Sequence, residues 1–231
     1  MRPFLNICAA WLQQLWPRRC ILCDAPTTGG WVCAGCEAEL PWLPTARCAV
    51  CAVPLATAAT CGACLDRPPT FDRVSAVFAY EFPVDALIHA FKYGGRLGLA
   101  PALGEVFAAA GAPAADVLVP MPLAPRRLRE RGFNQALELA RFASRRHGIP
   151  ILAGACRRVA DTPPQAALPW RERAKNVRRA FVCDVPLRGL RVAVVDDVLT
   201  TGATLDELAR VLRTAGAAAV TGCVLARTVP R

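Results

Sequence analysis

The stretch Val192–Leu205, VAVVDDVLTTGATL, decides how this chain is read. Four apolar residues lead to two adjacent aspartates, and three threonines around one glycine follow. A Val-rich run that ends at turn-forming residues reads as a buried strand of a parallel sheet, here Arg191–Val195. Asp196 and Asp197 then fall at its carboxyl end, where open α/β sheets bind ligands. Beyond them Leu205, Leu208, Ala209, Val211 and Leu212 recur at helical spacing, and Gly216 supplies a stop. Thr200, Thr201, Gly202, Ala203 and Thr204 are therefore expected to open a helix, whose unpartnered N–H groups and dipole attract an anion. Three hydroxyls, with a glycine that lets backbone come close, suit phosphate. Carboxylates beside phosphate need neutral donors, and the vicinal hydroxyls of a sugar provide them. A phosphorylated ribose satisfies both halves; the competing reading is an ordinary strand, turn and helix with an acidic first turn.

At 231 residues there is room for one α/β domain of the usual ~100–150 residues plus a small module. The composition is 54% hydrophobic, yet no apolar run approaches the ~20 residues of a membrane span. The N-terminus MRPFLNICAAWLQQLWP has polar interruptions at Asn6, Gln13 and Gln14 and no clear cleavage site, which argues against a signal peptide. Residues 1–19 read as an amphipathic helix packed on the protein, with docking to a membrane surface or a partner as the alternative. The expected location is the cytoplasm, either free or peripheral to the inner membrane.

Eight of the twelve cysteines form four CxxC pairs, arranged as C-x2-C-x9-C-x2-C twice. An offset of 28 residues maps the first half on the second and carries Arg19 to Arg47 and Pro26 to Pro54. This is an internal repeat. Two such knuckles enclose a tetrahedral ion, and so short a segment lacks the apolar content to fold without a staple. Residues 20–70 are therefore expected to be a double ribbon holding two structural Zn2+ ions. Identical halves make sequential sites simpler, Cys20, Cys23, Cys33 and Cys36, then Cys48, Cys51, Cys61 and Cys64; spacing also admits an interleaved cross-brace. Disulfides and a rubredoxin-like iron site are the weaker alternatives. Cys8, Cys156, Cys183 and Cys223 lack ligand spacing and are expected as small core residues.

From Asp72 the text turns to a strand and two helices broken at Gly94 and Gly95, with His89 inside the first helix as an ordinary surface or core residue and Lys92 at its end. A strand at Asp116–Val119 runs into a proline-studded loop, then a helix begins near Asn134 and ends at His147, a partner for the helix dipole. A second strand is read near Ile149–Arg157, and a final one at Val220–Ala226. Pro163, Pro164 and Pro169 argue against regular structure in RRVADTPPQAALPWRERAKNVRRAF, the long segment that follows the second strand. Pro120–Ala180 carries thirteen arginines and one lysine against four acids, so the whole net charge of +10 resides there. Charge this one-sided points to an anionic partner, nucleic acid or polyphosphate. Its aromatics are few, which limits base stacking.

VAVVDDVLTTGAT resembles the 5-phosphoribosyl 1-pyrophosphate (PRPP) signature of type I phosphoribosyltransferases. The resemblance implies that Asp196 and Asp197 hold the ribose, that Thr200–Thr204 hold the 5′-phosphate, and that Pro120, Met121, Pro122 and Leu123 form a pyrophosphate loop, often with a cis peptide. A basic patch of Arg126, Arg127, Arg131 and Arg171 would assist, a solvated cluster being the alternative. The proline-rich segment would be a lid, with Arg157, Thr162, Gln165, Arg173 and Asn176 as its candidate residues, and Mg2+ would accompany PRPP. Together LIHAFKYGGR, RGFNQA, DTPPQ, RERAKNVRRAF, DDVLTTGAT and LART, behind paired CxxC ribbons, resemble the ComF family of competence-associated phosphoribosyltransferase-like proteins. The implied fold is a type I phosphoribosyltransferase-like parallel sheet with helices on both faces over 71–231, behind the double ribbon. The implied role is handling of incoming single-stranded DNA in natural transformation, with a competence helicase or DNA-processing proteins as partners. The competing function is a phosphoribosyltransferase acting on a small-molecule acceptor, without DNA.

Overall fold

The computed structural model describes residues 18–27, 30–93, 97–159 and 179–229. The chain divides into two compact units, Met1–Leu40 and Pro41–Arg231, so the second half of the cysteine repeat belongs to the larger unit. In the smaller unit β1 (Arg18–Arg19) pairs antiparallel with β2 (Pro26–Thr27), and α1 (Ala34–Ala38) follows Cys33. The second half repeats this plan: Arg47 bridges Pro54, and α2 (Gly62–Asp66) follows Cys61. Even the strained position recurs, since Asp24 and Ala52, each one residue past its CxxC, have φ of 62° and 59°. Cys20 N–H donates to Ala25 C=O and Cys48 N–H to Val53 C=O, both at 2.8 Å. The sequence repeat is thus a repeat of backbone geometry.

The larger unit is built on β3 (Arg73–Ala79), β4 (Val117–Pro120), β7 (Arg191–Leu199) and β8 (Ala219–Arg227), all parallel in the order β3-β8-β7-β4. Between β3 and β4 lie α3 (Val84–Tyr93), a 3-10 turn and α4 (Ala100–Ala109). Then come α5 (Pro125–Arg131) and α6 (Gln135–His147), and α7 (Ala203–Thr214) joins β7 to β8. Strands buried on both faces read as continuous apolar runs, and β4 is buried throughout. Val192 and Val194 join the cluster of Leu205, Leu208 and Leu212 on α7. By alternation Ala193 and Val195 face the other way; Val195 lines a cavity with Phe107 of α4 and Ala143 of α6. Helix α7 lies so close to β8 that a Cβ at Gly222 would stand 2.5 Å from Leu205 Cδ2, so a side chain there would have to displace Leu205.

Several elements differ from expectation. The strand placed at Arg191–Val195 continues to Leu199 because β8 offers partners as far as Arg227, so the two aspartates lie inside it. The proline-studded loop after β4 contains α5, with Pro125 in its first turn where a missing N–H costs nothing. The strand expected over Ile149–Arg157 is two pieces. Ile151 bridges Leu118 at the outer edge of the sheet, whereas β5 (Cys156–Arg158) pairs antiparallel with β6 (Phe181–Cys183). His147 ends α6 as expected, but its Nε2 meets Ala108 C=O of α4 at 2.8 Å rather than its own helix end. Cys156 and Cys223 are buried, while Cys183, the cross-strand neighbour of Cys156, is half-buried. Of the helix expected over residues 1–19, Arg18 and Arg19 instead form β1, because Thr27 and Pro26 offer them strand partners, and residues 1–17, with Cys8, lie outside the described residues.

Candidate functional site

From β4 the chain leaves through α5 and α6 toward Ile151 at one edge, and from β7 it leaves through α7 toward β8 in the opposite direction. The carboxyl ends of β4 and β7 therefore flank a topological switch point, the place where such sheets form a ligand crevice. Both loops predicted to hold PRPP start there. Met121 N–H donates to Val195 C=O at 2.8 Å, and Asn134 Nδ2 donates to Met121 C=O at 3.1 Å while its Oδ1 caps α6 at Ala136 N. Pro120, Met121 and Pro122 are buried, and Leu123 is half-buried. Among the described residues the cis peptide is Phe82–Pro83, so the expected cis bond in this loop is not present.

The two aspartates point to opposite faces of β7. Asp197 is 7% exposed and its Oδ1 lies 2.9 Å from Lys92 Nζ at the end of α3. Burial opposes the charge on Lys92, but Asp197, by charge and by hydrogen bond, and then Asp196 outweigh it and hold the ammonium above its usual range. Asp196 accepts the N–H of Asp197 at 2.9 Å. Loss of hydration, and then the charge of Asp197, pushes its carboxyl up to about 7. One carboxylate is thus committed to a cation, and the other is poised to titrate near neutrality.

The loop and helix start from Thr200 to Thr204 are partly open to solvent. Gly202 caps α7 with φ of 84°, a left-handed conformation that disfavours any side chain. Thr201 Oγ1 accepts the N–H of Ala203 at 3.2 Å. The helix starts at Ala203, so Ala203 and Thr204 belong to its first turn and Thr200–Gly202 form the approach.

Of the basic residues, Arg126 pairs with Glu130 at 2.8 Å, and Arg131 donates to Gln135 Oε1 and Tyr93 Oη while lying over the Tyr93 ring. Arg127 buries its Nη2 without a hydrogen-bond partner. Arg157 sits in β5 and pairs with Asp184 at 2.7 Å. Thr162, Gln165, Arg171, Arg173 and Asn176 lie outside the described residues. His89 is exposed and its ring meets Tyr93.

Sequence reasoning did not single out Lys92, which meets Asp197, or Arg227, whose Nη1 donates to the carbonyls of Leu199 and Thr200. Lys92 had a signal in its place before the paired glycines, and Arg227 in LART at the carboxyl end of a strand. In each half of the cysteine repeat the four sulfurs lie within 4.8 Å of one another in the sequential grouping. Cys48 Sγ accepts N–H groups from Cys51 and Cys61 at 3.5 and 3.3 Å. Burial opposes its thiolate, yet backbone donors pull Cys48 down to about 6. Four converging sulfurs with amide donors fit a structural Zn2+ ion at both sites, with no coordination position left for catalysis.

A double zinc ribbon family model matches residues 11–65. The DNA utilization protein YhgH of Escherichia coli K12 is 36% identical over 92% of this chain and 98% of its own length. Competence protein F of Haemophilus influenzae is 32% identical over 86% of this chain and 92% of its own length. The chain belongs to the ComF family. It shares the family's ribbon repeat and a parallel sheet with helices on both faces, the fold class expected from its motifs. This ComF-family chain also overlaps in part with the solved glutamine PRPP amidotransferase of B. subtilis complexed with ADP and GMP, over 52% of this chain and 24% of that one, at 24% identity and a TM-score of 0.37.

Proposed function

We propose that this protein binds PRPP, or a closely related ribose phosphate, in the crevice between β4 and β7 and serves the handling of single-stranded DNA during DNA uptake. The observation that carries the PRPP half is the convergence at one switch point of a glycine-capped helix start and the Asp196 carboxylate. Thr200–Thr204 would take the 5′-phosphate and Asp196 the ribose hydroxyls, with Asp197 sharing its carboxylate between Lys92 and the sugar. The loop Pro120–Leu123 would face the pyrophosphate, and Arg127 and Arg131 would add positive charge beside it. Mg2+ would come with the pyrophosphate and neutralise its charge. The DNA half draws on the names of the relatives, DNA utilization protein and competence protein F, and on the concentration of arginine in Pro120–Ala180. Exposed Arg129 and Arg146 have no partner among the described residues and suit a phosphate backbone.

Calorimetry tests the crevice. The unsubstituted chain should bind Mg2+-PRPP, and Asp196→Asn with Asp197→Asn should weaken it by several kcal/mol, at ~1.5–3 per charged hydrogen bond, while the circular dichroism spectrum is kept. Equal affinity in the double variant sinks the assignment. A pyrophosphate-release assay across nucleobases, and with DNA as acceptor, decides whether binding leads to transfer.

A further inference from the structure

Arg227, the last residue of β8, is 6% exposed and belongs to the LART motif. Its Nε donates to Cys51 C=O at 3.0 Å. Its Nη1 donates to Leu199 C=O at 3.2 Å, to Thr200 C=O, and to the C=O and Oγ1 of Thr228 at 2.7 and 3.2 Å. Cys51 is one of the four sulfur donors of the second knuckle. Leu199 and Thr200 begin the phosphate loop. Thr228 ties the same loop again, its N–H donating to Leu199 C=O at 3.0 Å and its Oγ1 to Thr200 C=O at 3.3 Å. Ala52, directly after Cys51, is fully buried and packs in the same apolar cluster as Leu199 and Leu205.

We infer that Arg227 is a positioning residue that makes the second knuckle and the phosphate loop one mechanical unit, so that metal at Cys48, Cys51, Cys61 and Cys64 and phosphate in the loop support each other. A planar guanidinium with five donors in a fixed fork can satisfy two backbones at once, which a lysine cannot. Loss of the metal frees the Cys51 carbonyl to move. That removes one anchor of a buried cation whose remaining anchors are the loop carbonyls. Among the described residues no carboxylate pairs with Arg227, so its charge stands uncompensated beneath a loop built for an anion. A bound phosphate supplies the missing negative charge, and burial makes that compensation stronger than it is in water. The coupling is reciprocal by linkage: whatever factor metal adds to phosphate affinity, phosphate adds to metal affinity.

The inference rests on the phosphate reading of the loop, and the test separates the two. In the full-length chain carrying Cys20→Ser and Cys23→Ser, the metal left to read is at the second site, and its transfer to a chromophoric chelator is followed with and without PRPP. PRPP should slow zinc transfer about tenfold, and Arg227→Met should abolish that slowing, with Arg227→Lys restoring only part of it. Removing this zinc should also speed hydrogen exchange at residues 199–204 in the absence of any ligand. Exchange there that is indifferent to the zinc overturns the coupling, and so does zinc transfer that PRPP slows equally in Arg227→Met. If the unsubstituted chain binds no PRPP, the phosphate reading fails while the exchange measurement still decides the coupling. Exchange is read on a chain with Arg227 intact, so a poorly folded Arg227→Met does not blunt the test.

Discussion

Lys92 Nζ lies 2.9 Å from Asp197 Oδ1, so the second carboxylate of β7 meets a cation delivered by α3 across the face of the sheet. Both side chains are largely buried, and removing one partner from such a pair typically costs ~3–5 kcal/mol because the other charge is left uncompensated. Lys92→Met should lower stability by about that amount in urea unfolding. Adding Asp197→Asn removes the orphaned charge and should recover most of the loss. A double variant no more stable than Lys92→Met would show that the cost comes from packing and not from the pair.

Asp196 gives the crevice a pH dependence. Its carboxyl is held at about 7, far above the ordinary carboxylate range, first by loss of hydration and then by the charge of Asp197. In the folded chain it is therefore protonated below about 7 and ionised above. The ionised form is the stronger acceptor for sugar hydroxyls, so PRPP affinity should rise as pH climbs through that value, by up to about tenfold per unit on the acid side. Stability moves the other way. The unfolded carboxyl gives up its proton first, so folding loses free energy as pH rises from the ordinary carboxylate range to about 7. Asp196→Asn should flatten both profiles. The second ionisation of the 5′-phosphate, near ~6, affects both proteins alike and is removed by comparing them.

Metal analysis should return two zinc ions per chain, and Cys23→Ser or Cys51→Ser should each return one. The second loss should be felt by the α/β unit, because Val50 and Ala52 pack in its core cluster and Cys51 C=O anchors Arg227. Thermal unfolding of Cys51→Ser should therefore shift the transition of the sheet itself. A chain without zinc, or one whose unreduced mass is lower by two hydrogens for each CxxC pair, as disulfides require, contradicts both sites.

What the sequence made legible follows from local rules. The CxxC spacing, the 28-residue offset and the Val-rich strand before the threonines each express a period or a ligand count within one stretch of chain. The division of labour between Asp196 and Asp197 was not legible, because it depends on Lys92, more than a hundred residues away, reaching one face of β7. Arg227 escaped for the same reason: an arginine at a strand end looks solvated until Cys51, Leu199 and Thr200 converge on it. The strand read at Ile149–Arg157 split because apolar character alone does not tell pairing with Leu118 from pairing with Phe181–Cys183.

The last prediction concerns where DNA binds. All the net positive charge lies in Pro120–Ala180, the segment that contains the Pro120–Leu123 loop, α5 and α6. Single-stranded DNA should therefore bind on the face around the crevice, and the affinity should fall steeply with salt, with a logarithmic slope near −0.7 for each phosphate neutralised. Charge reversal at Arg171 and Arg173 should weaken DNA binding while both zinc ions stay in place. Reversals in the charge-balanced remainder should matter little. PRPP, drawing on the same positive field, should compete with DNA. A transferase that uses its arginines for pyrophosphate alone predicts negligible DNA affinity at physiological salt. Anisotropy of a labelled oligonucleotide at two salt concentrations, with and without Mg2+-PRPP, separates these outcomes. Absent or salt-insensitive binding ends the nucleic-acid reading, and salt-dependent binding that ignores PRPP moves the DNA surface away from the crevice.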